Sequence, residues 1–563
     1  MREHIAHLVA EALASAVADG VLTLPEVPPV ELERPREASH GDYATNVAMQ
    51  VAKSAKLPPR TIAEAIAERM GGDPDIAAVE VAGPGFVNIR LSAEALRTIV
   101  REAREQGSAY GASDLGRGEK LQVEFVSANP TGPMHVGHGR WAALGDSLAR
   151  VLAHSGWDVR REFYINDAGV QMDIFAKSVA ARYLELAGRE AEFGENWYRG
   201  AYAVEIAQEI RDDDGERWVD VPAAERELAF RERAYKQVLD HMRHVLEGMG
   251  VTFDVWFSER TLHAKGEIEA AIAKLRDAGY VFEAEGAVWF RSTDFGDDKD
   301  RVMRKADGEY TYFAADVAYH WDKLQRGFGR IIDIWGADHH GYVKRMEAAV
   351  AALGHPGALE VVIGQLVNLY RGGELVRMSK RTGEMVTFEE LLDEVGADAA
   401  RYWFLRRSTD QPVDFDIVLA KEQSAENPVY YVQYAHARIC SILRKAAGLE
   451  TDAAADVRAF VRELVPEATD LAPLGEAAEL TLVRKIAEFP EIVEVAARRR
   501  EPHRLTHYAE DLAATFHQFY TLCRVVDPAE PALTSARLYL VDATRVLLET
   551  ALGLLGVSAP QRM

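Results

Sequence analysis

Cysteine is almost missing from this chain. Its 563 residues include two, Cys440 and Cys523, too few and too far apart for a disulfide framework or a thiolate zinc site, and in keeping with a reducing compartment. Long apolar runs are missing too. No stretch approaches the roughly 20 consecutive apolar residues of a membrane span. The opening MREHIAHLVAEALA lacks the compact apolar segment of a secretory signal, so the expected setting is cytoplasmic, with no membrane partner. Positive charge is in short supply: 65 Lys and Arg stand against 89 Asp and Glu, a formal net charge of -24. Such a balance repels nucleic acid at long range and argues against a general DNA- or RNA-coating role. A nucleic-acid partner has to be met by local basic patches, of which Arg377, Lys380 and Arg381, Arg406 and Arg407, Arg438, Arg444 and Lys445, and Arg498, Arg499 and Arg500 are the candidates. Taken alone, each is a solvated helix face by default.

What is present is ordinary for a folded protein: 48% apolar and 27% charged residues, in a chain long enough for about three or four domains. Residues 1–112 read as a separate α+β unit. An amphipathic helix (IAHLVAEALASAV) leads through a Pro-rich connection to helical NVAMQVAKSA and TIAEAIAERM and to the strand-like VEVAGPGFVNIRL. The glycine-rich YGASDLGRG is the linker out of it. Over 113–385, short apolar strands (LQVEFV, DVRREFYI, GRIIDIW, EVVIGQLVNLY) each lead into a helical pattern, which predicts a parallel sheet covered on both faces. A long, charged helical insertion is expected over about 170–300. Residues 386–425 connect, and 426–563 have helical period almost throughout, predicting an all-α bundle.

Two motifs carry chemistry. NPTGPMHVGHGR, residues 129–140, follows the strand LQVEFV and opens a helix, at the strand end where open α/β sheets bind ligands. His135 and His138 are i and i+3 and share one face of the first turn, where unpaired backbone N–H groups and the positive end of the helix dipole favour phosphate. Gly137 lets a flat ring approach the backbone. The second motif, ELVRMSKRTGEMV at residues 374–386, follows LVNLY and the turn Arg371-Gly372-Gly373, so a hairpin ending in a basic loop is predicted. Lys380, with Ser379 beside it, can bring a point charge to phosphate oxygens.

HVGH and RMSKR, in this order, resemble the paired signatures of class I aminoacyl-tRNA synthetases. The stretches HGDYATNVAM, VEFVSANPTGPMHVGHGR, REFYINDAGVQM, YTYFAADVAYH, GADHHGYVKRM, NPVYYVQYAHARI and LGLLGVSAPQRM span almost the whole chain and resemble the bacterial arginyl-tRNA synthetase family. The resemblance implies a Rossmann-like catalytic domain between an α+β N-terminal domain that touches the tRNA elbow and an α-helical anticodon-binding domain. It implies an enzyme that joins arginine to tRNA(Arg) through an adenylate, using ATP with Mg²⁺, working as a monomer, with arginine activation dependent on bound tRNA. It places catalysis on His135, His138 and Lys380, and ATP on Pro130, His135, Gly137, His138, Met378, Ser379 and Lys380. Arginine falls to Glu124, Ser127, Asn129, His138, Tyr312, Asp316 and His340, with Asp338 and His339 nearby, and tRNA to Tyr43, Asn46, Tyr434 and Arg438, with Tyr430, Phe519 and Tyr520 as further stacking candidates. A planar, always charged guanidinium needs carboxylates and a flat wall, and Tyr312 and Asp316 are i and i+4 if that stretch is helical. Arg377 and Arg381 stand at the first and last positions of the K-M-S-K-S pattern, so the sharing of charge between Arg377 and Lys380 departs from the family's.

Other readings lead elsewhere. A zinc site on His135, His138, His339 and His340 lacks the HExxH spacing, and no metal site is expected. A cysteine-specific class I enzyme would need the missing cysteines. A non-catalytic tRNA-binding homologue has no need of His135, His138 and Lys380 together, and a simple nucleotidyltransferase has no use for two flanking tRNA-binding domains.

Overall fold

The computed structural model describes residues 1–35, 37–376 and 386–563. The first unit comprises α1 (Arg2–Ala18), β1 (Tyr43–Thr45), α2 (Val47–Ala55), α3 (Pro59–Met70), β2 (Ile76–Ala82), β3 (Phe86–Leu91) and α4 (Ala93–Gln106). Its strands form an antiparallel sheet in the order β1-β3-β2. The stretch VEVAGPGFVNIRL is a hairpin rather than one strand, because Gly83 and Gly85 adopt the positive φ that turns the chain. Tyr43 and the acid before it face inward: Tyr43 is 2% exposed, and Asp42 accepts Arg484 Nε at 2.6 Å. Arg34 lies over the Tyr43 ring and pairs with Glu491 at 2.9 Å. The HGDYATN segment thus fastens this unit to the C-terminal helices, which corrects the expectation that Tyr43 touches tRNA. Asn46 is half-buried at the start of α2 and accepts Gln50 Nε2 at 2.7 Å.

The second unit runs β4 (Lys120–Glu124), α5 (Val136–His154), β5 (Asp158–Ile165), α6 (Val170–Leu186), α7 (Ala201–Asp214), α8 (Ala223–Gly248), β6 (Val255–Ser258), α9 (Arg260–Lys265), α10 (Glu267–Asp277), β7 (Val281–Ala284), β8 (Ala287–Phe290), β9 (Arg301–Arg304), α11 (Tyr312–Gln325), β10 (Arg330–Gly336), α12 (Val343–Ala352) and β11 (Leu359–Gly364). Five parallel strands are ordered β11-β10-β4-β5-β6. Strand order reverses between β4 and β10, so a crevice opens beyond their carboxyl ends, where such sheets bind ligands. The insertion expected to be helical over about 170–300 is not helical throughout, because strands break it between α8 and α9 and again after α10. Four residues then return to the main sheet as β6, and β7, β8 and β9 make a small antiparallel sheet. The four residues VWFS are too short and too close to a charged helix to betray a strand by period.

Next come β12 (Val367–Arg371), β13 (Glu374–Leu375), α13 (Phe388–Val395), α14 (Ala397–Leu405), β14 (Val413–Asp416) and α15 (Ile417–Lys421). The hairpin predicted at Arg371-Gly372-Gly373 is present: β12 and β13 pair antiparallel, both glycines have positive φ, and Asp416 accepts their N–H groups at 3.1 and 2.8 Å. The bundle is α16 (Pro428–Ala446), α17 (Val457–Leu464), α18 (Ala477–Arg499), α19 (His503–Leu522) and α20 (Pro531–Leu555).

Arg401 on α14 has no exposed side-chain surface and joins these units. It pairs with Asp146 on α5 and donates to the carbonyls of Leu555 at 3.0 Å and Met249 at 3.2 Å. Arg444, offered by the sequence as part of a basic patch, is 1% exposed and donates to Gln561 and Ala455. Residues 558–561 are thereby strapped to α16, helped by Gln433 on Ser558 and by His436 Nδ1 against Pro560 O at 2.9 Å. Burial lowers the His436 imidazole to about 4, from an ordinary value near 6.5. Between those values the unfolded chain takes up a proton before the folded one, so stability falls as pH falls through this window. Going from pH 7 to pH 5 should cost about 2 kcal/mol at this site. His436→Gln, which keeps a donor for Pro560, should show a visibly smaller drop in melting temperature between the two pH values; an equal drop would assign the pH dependence elsewhere.

Candidate active site

The histidine turn is built by its neighbours. His135 caps α5 in extended conformation, and its N–H donates to His138 Nδ1 at 3.1 Å, so the His138 proton sits on Nε2. The two rings stack with centroids 3.7 Å apart. A side chain on Gly137 would press on the His135 ring at 2.9 Å. Thr387 bridges to His135, Phe388 N donates to Met134 O at 2.9 Å, and the Phe388 ring fills the space left by Gly139. The residue that follows the basic loop after an intervening Val386 is therefore docked on the histidine turn. Met378, Ser379 and Lys380, like Arg377 and Arg381, lie outside the described residues. Trp141, one turn along α5, meets the His138 ring edge-on at 5.5 Å.

Under the turn lies a buried charge network that the sequence did not reveal. Lys323 on α11 is wholly buried and donates to Glu124 at 2.6 Å and Asp333 at 2.8 Å. His320 reaches the other Asp333 oxygen at 2.8 Å. Burial opposes ionisation of Asp333, yet Lys323 and His320 outweigh it and hold the carboxyl at about 2. Glu124, assigned to substrate arginine from the sequence, has its second oxygen taken by Ser127 Oγ at 2.8 Å. Both its oxygens thus have internal partners, one of which ties it to the loop that follows β4. There Val126 and Ser127 adopt φ of 70° and 40°, a costly conformation for non-glycine residues, above all for a β-branched one.

The acidic pole lies between α11 and the end of β6. Asp316, half-buried, accepts the Tyr342 hydroxyl at 2.5 Å. Glu259 is 5% exposed and hydrogen-bonded to Tyr164. Burial raises both carboxyls above their usual range, and the charge of Asp316 pushes Glu259 further up. Two acids raised together in this way favour a cation between them. Tyr312 opens α11 and is 64% exposed beside Gly169, one turn from Asp316. Asn129 is exposed and donates to Gln171 at 3.0 Å, while Pro130 is buried beneath it. Asp338, His339 and His340 are exposed on the short 3₁₀ turn Ala337–Tyr342 after β10. Tyr342 at the end of that turn connects it to Asp316. Glu259, Tyr164 and Tyr342 escaped sequence reasoning; Tyr342 stands in the quoted GADHHGY, and Glu259 follows the strand hidden in the insertion.

On the bundle, Tyr430 and Tyr434 stack at 6.0 Å, Tyr434 also faces His517 at 6.1 Å, and the Arg438 guanidinium lies 5.3 Å from Tyr434 and 5.5 Å from Tyr520. Phe519 is 0% exposed and is core, which removes it from the stacking candidates.

A family model described as tRNA synthetases class I (R), catalytic domain, matches residues 100–440, and with the strand reversal and the histidine turn it defines a class I aminoacyl-tRNA synthetase. Models described as arginyl tRNA synthetase N terminal domain and DALR anticodon binding domain match residues 3–91 and 432–563. The chain belongs to the arginyl-tRNA synthetase family. It is 50% identical to the arginine–tRNA ligase of Geobacillus thermodenitrificans, covering 100% of this chain and 99% of that one. It is 48% identical to that of Bacillus subtilis, covering 98% of each. The solved arginyl-tRNA synthetase of Thermus thermophilus shares the fold, with a TM-score of 0.74 at 24% identity over 100% of both chains.

Proposed function

We infer that the chain is an arginine–tRNA ligase. The arginine carboxylate attacks the α-phosphorus of ATP, the bond to the β-phosphate oxygen breaks and pyrophosphate leaves. A ribose hydroxyl of the terminal adenosine of tRNA(Arg) then attacks the arginyl carbonyl, loses its proton, and AMP leaves. No covalent enzyme intermediate is needed, so the protein's task is alignment and charge stabilisation. His138 Nε2–H and His135 serve the phosphate oxygens, and Lys380 brings the opposing cation. Mg²⁺ enters on the phosphates of ATP, which supply its oxygen ligands; among the described residues no cluster of three metal-ligating side chains lies at this site.

The observation that supports arginine is the pair of acids, half-buried Asp316 and buried Glu259, behind the exposed ring of Tyr312. A guanidinium takes up both charges and lies flat on the tyrosine. Asn129 and His340 serve the amino acid's polar end from the rim, and Ser127 and Glu124 fix the loop beneath it. Asp316→Asn keeps shape and removes charge. It should raise the KM for arginine about 10- to 100-fold with a small change in kcat, measured by charging total tRNA with labelled arginine; an unchanged KM would move the guanidinium elsewhere. Charging by the unaltered chain, run beside cysteine, glutamine and lysine, tests the function itself.

The tRNA assignments extend this reading. We assign 1–112 to the tRNA elbow, 113–385 with the connecting 386–425 to catalysis, and 426–563 to the anticodon. Tyr434 and Arg438, in their cluster with Tyr430, His517 and Tyr520, suit unstacked bases. Asn46 remains a candidate for the elbow. A monomer acting in the cytoplasm completes the proposal; no helix among the described residues is long and apolar enough to cross a membrane.

A further inference from the structure

Trp141 occupies a position that glycine alone permits on two sides. A Cβ on Gly336, the last residue of β10, would lie 3.1 Å from the indole's six-membered ring, and one on Gly364, the last residue of β11, would lie 2.5 Å from Nε1. The indole therefore fills the space where two neighbouring strands end, directly beside the strand reversal. Its other neighbours are the stacked histidines, edge-on to His138 at 5.5 Å and to His135 at 6.1 Å. A T-shaped contact of this kind fixes ring orientation, the positive edge of one ring meeting the face of another. Hydrophobic packing accounts for the ring but not for the nitrogen. The Nε1–H is shielded from solvent and finds no hydrogen-bond partner among the described residues. A buried donor left unmet is destabilising, and a phenylalanine would fill most of the same volume without that penalty.

We propose that Trp141 is a specificity and positioning residue of the nucleotide site: its ring sets the His138 imidazole, and its N–H is the donor that bound ATP satisfies. The indole lies against both histidines assigned to ATP, so the acceptor belongs to the nucleotide rather than to arginine. This rests on the assignment of the histidine turn to ATP made above.

The test uses the full-length chain. Trp141→Phe keeps an aromatic ring and removes the donor. Its KM for ATP should rise about 3- to 10-fold, the loss of one hydrogen bond, while the KM for arginine and the melting temperature stay as in the unaltered protein. Gly364→Ala, whose Cβ would press on Nε1 and displace the indole while leaving Trp141 itself in place, should reproduce the ATP-selective defect. Titration with ATP, followed by tryptophan fluorescence, should show a change that the Trp141→Phe variant lacks. A wild-type KM for ATP in Trp141→Phe overturns the proposal. So does an equal rise in both KM values with a falling melting temperature, which would make the indole packing alone. Should the unaltered chain charge no arginine, the functional reading fails, and the fluorescence difference still decides the role of Trp141.

Discussion

His138→Ala lowers arginine charging by about 100- to 1,000-fold while leaving the melting temperature nearly unchanged, the effect of deleting one preorganised donor to developing phosphate charge. The size follows from the geometry. The imidazole is fixed before substrate arrives, by the His135 N–H on Nδ1, by the stacked His135 ring and by the edge of Trp141, so no reorganisation is needed as the reaction proceeds. Stability is spared because the ring lies at the start of α5 and the helix keeps its packing through Ala142, Leu148 and Leu152. Lys380→Ala should give a loss of the same order, and Lys380→Arg should restore only part of it, since a planar fork does not replace a compact ammonium. Rapid-quench measurement of aminoacyl-tRNA formation at saturating ATP and arginine separates this from weakened binding. A His138→Ala enzyme within a few-fold of the unaltered rate would remove the histidine from the chemistry.

Lys323→Met is the change with the largest expected cost in stability, about 3–5 kcal/mol, because it leaves Glu124 and Asp333 buried without their cation. The pH dependence identifies the cause. In the unaltered protein Asp333 is held near 2, below the ordinary carboxylate value of about 3.9, so its stabilising contribution is present above the ordinary value and disappears as pH falls through the lower one. In the variant the same carboxyls bind protons more readily, so the deficit should be largest at pH 8 and narrower at pH 5. A deficit independent of pH would point to lost packing instead. Adding Asp333→Asn should recover part of the loss at pH 8, as expected of neighbours that share one charge network.

The parts of this molecule that a sequence announces are those whose local chemistry matches their final surroundings. LQVEFV followed by proline, glycine and two histidines could hardly be anything but a strand, a turn and a helix start, and Gly372 and Gly373 mark their hairpin by the positive φ they adopt. The acidic face of α11 behaves otherwise. Asp316, His320 and Lys323 lie three and four residues apart, the spacing of a solvated helix stripe, and only the arrival of Glu124 and Asp333 from β4 and β10 makes a buried network of His320 and Lys323. Tyr43 was misleading for a related reason. The resemblance assigned Tyr43 to tRNA, but the ring is held by Arg34, nine residues earlier, which Glu491 of a distant helix anchors in turn. Glu259 was invisible because the strand that presents it is four residues long.

The order of strands has a kinetic consequence as well. Glu124 and Lys323 are 199 residues apart in sequence, and the central pairing of β10 with β4 must close that whole interval before the crevice exists. Contacts so remote are entropically expensive to form and tend to form late. The histidine turn therefore belongs to one half of a sheet and the turn after β10 to the other, and a ligand that touches both is a clamp across the seam that closes last. Bound adenylate would then protect the enzyme chiefly by slowing its opening, and the amides of β4 and β10 would be where hydrogen exchange registers that protection most strongly.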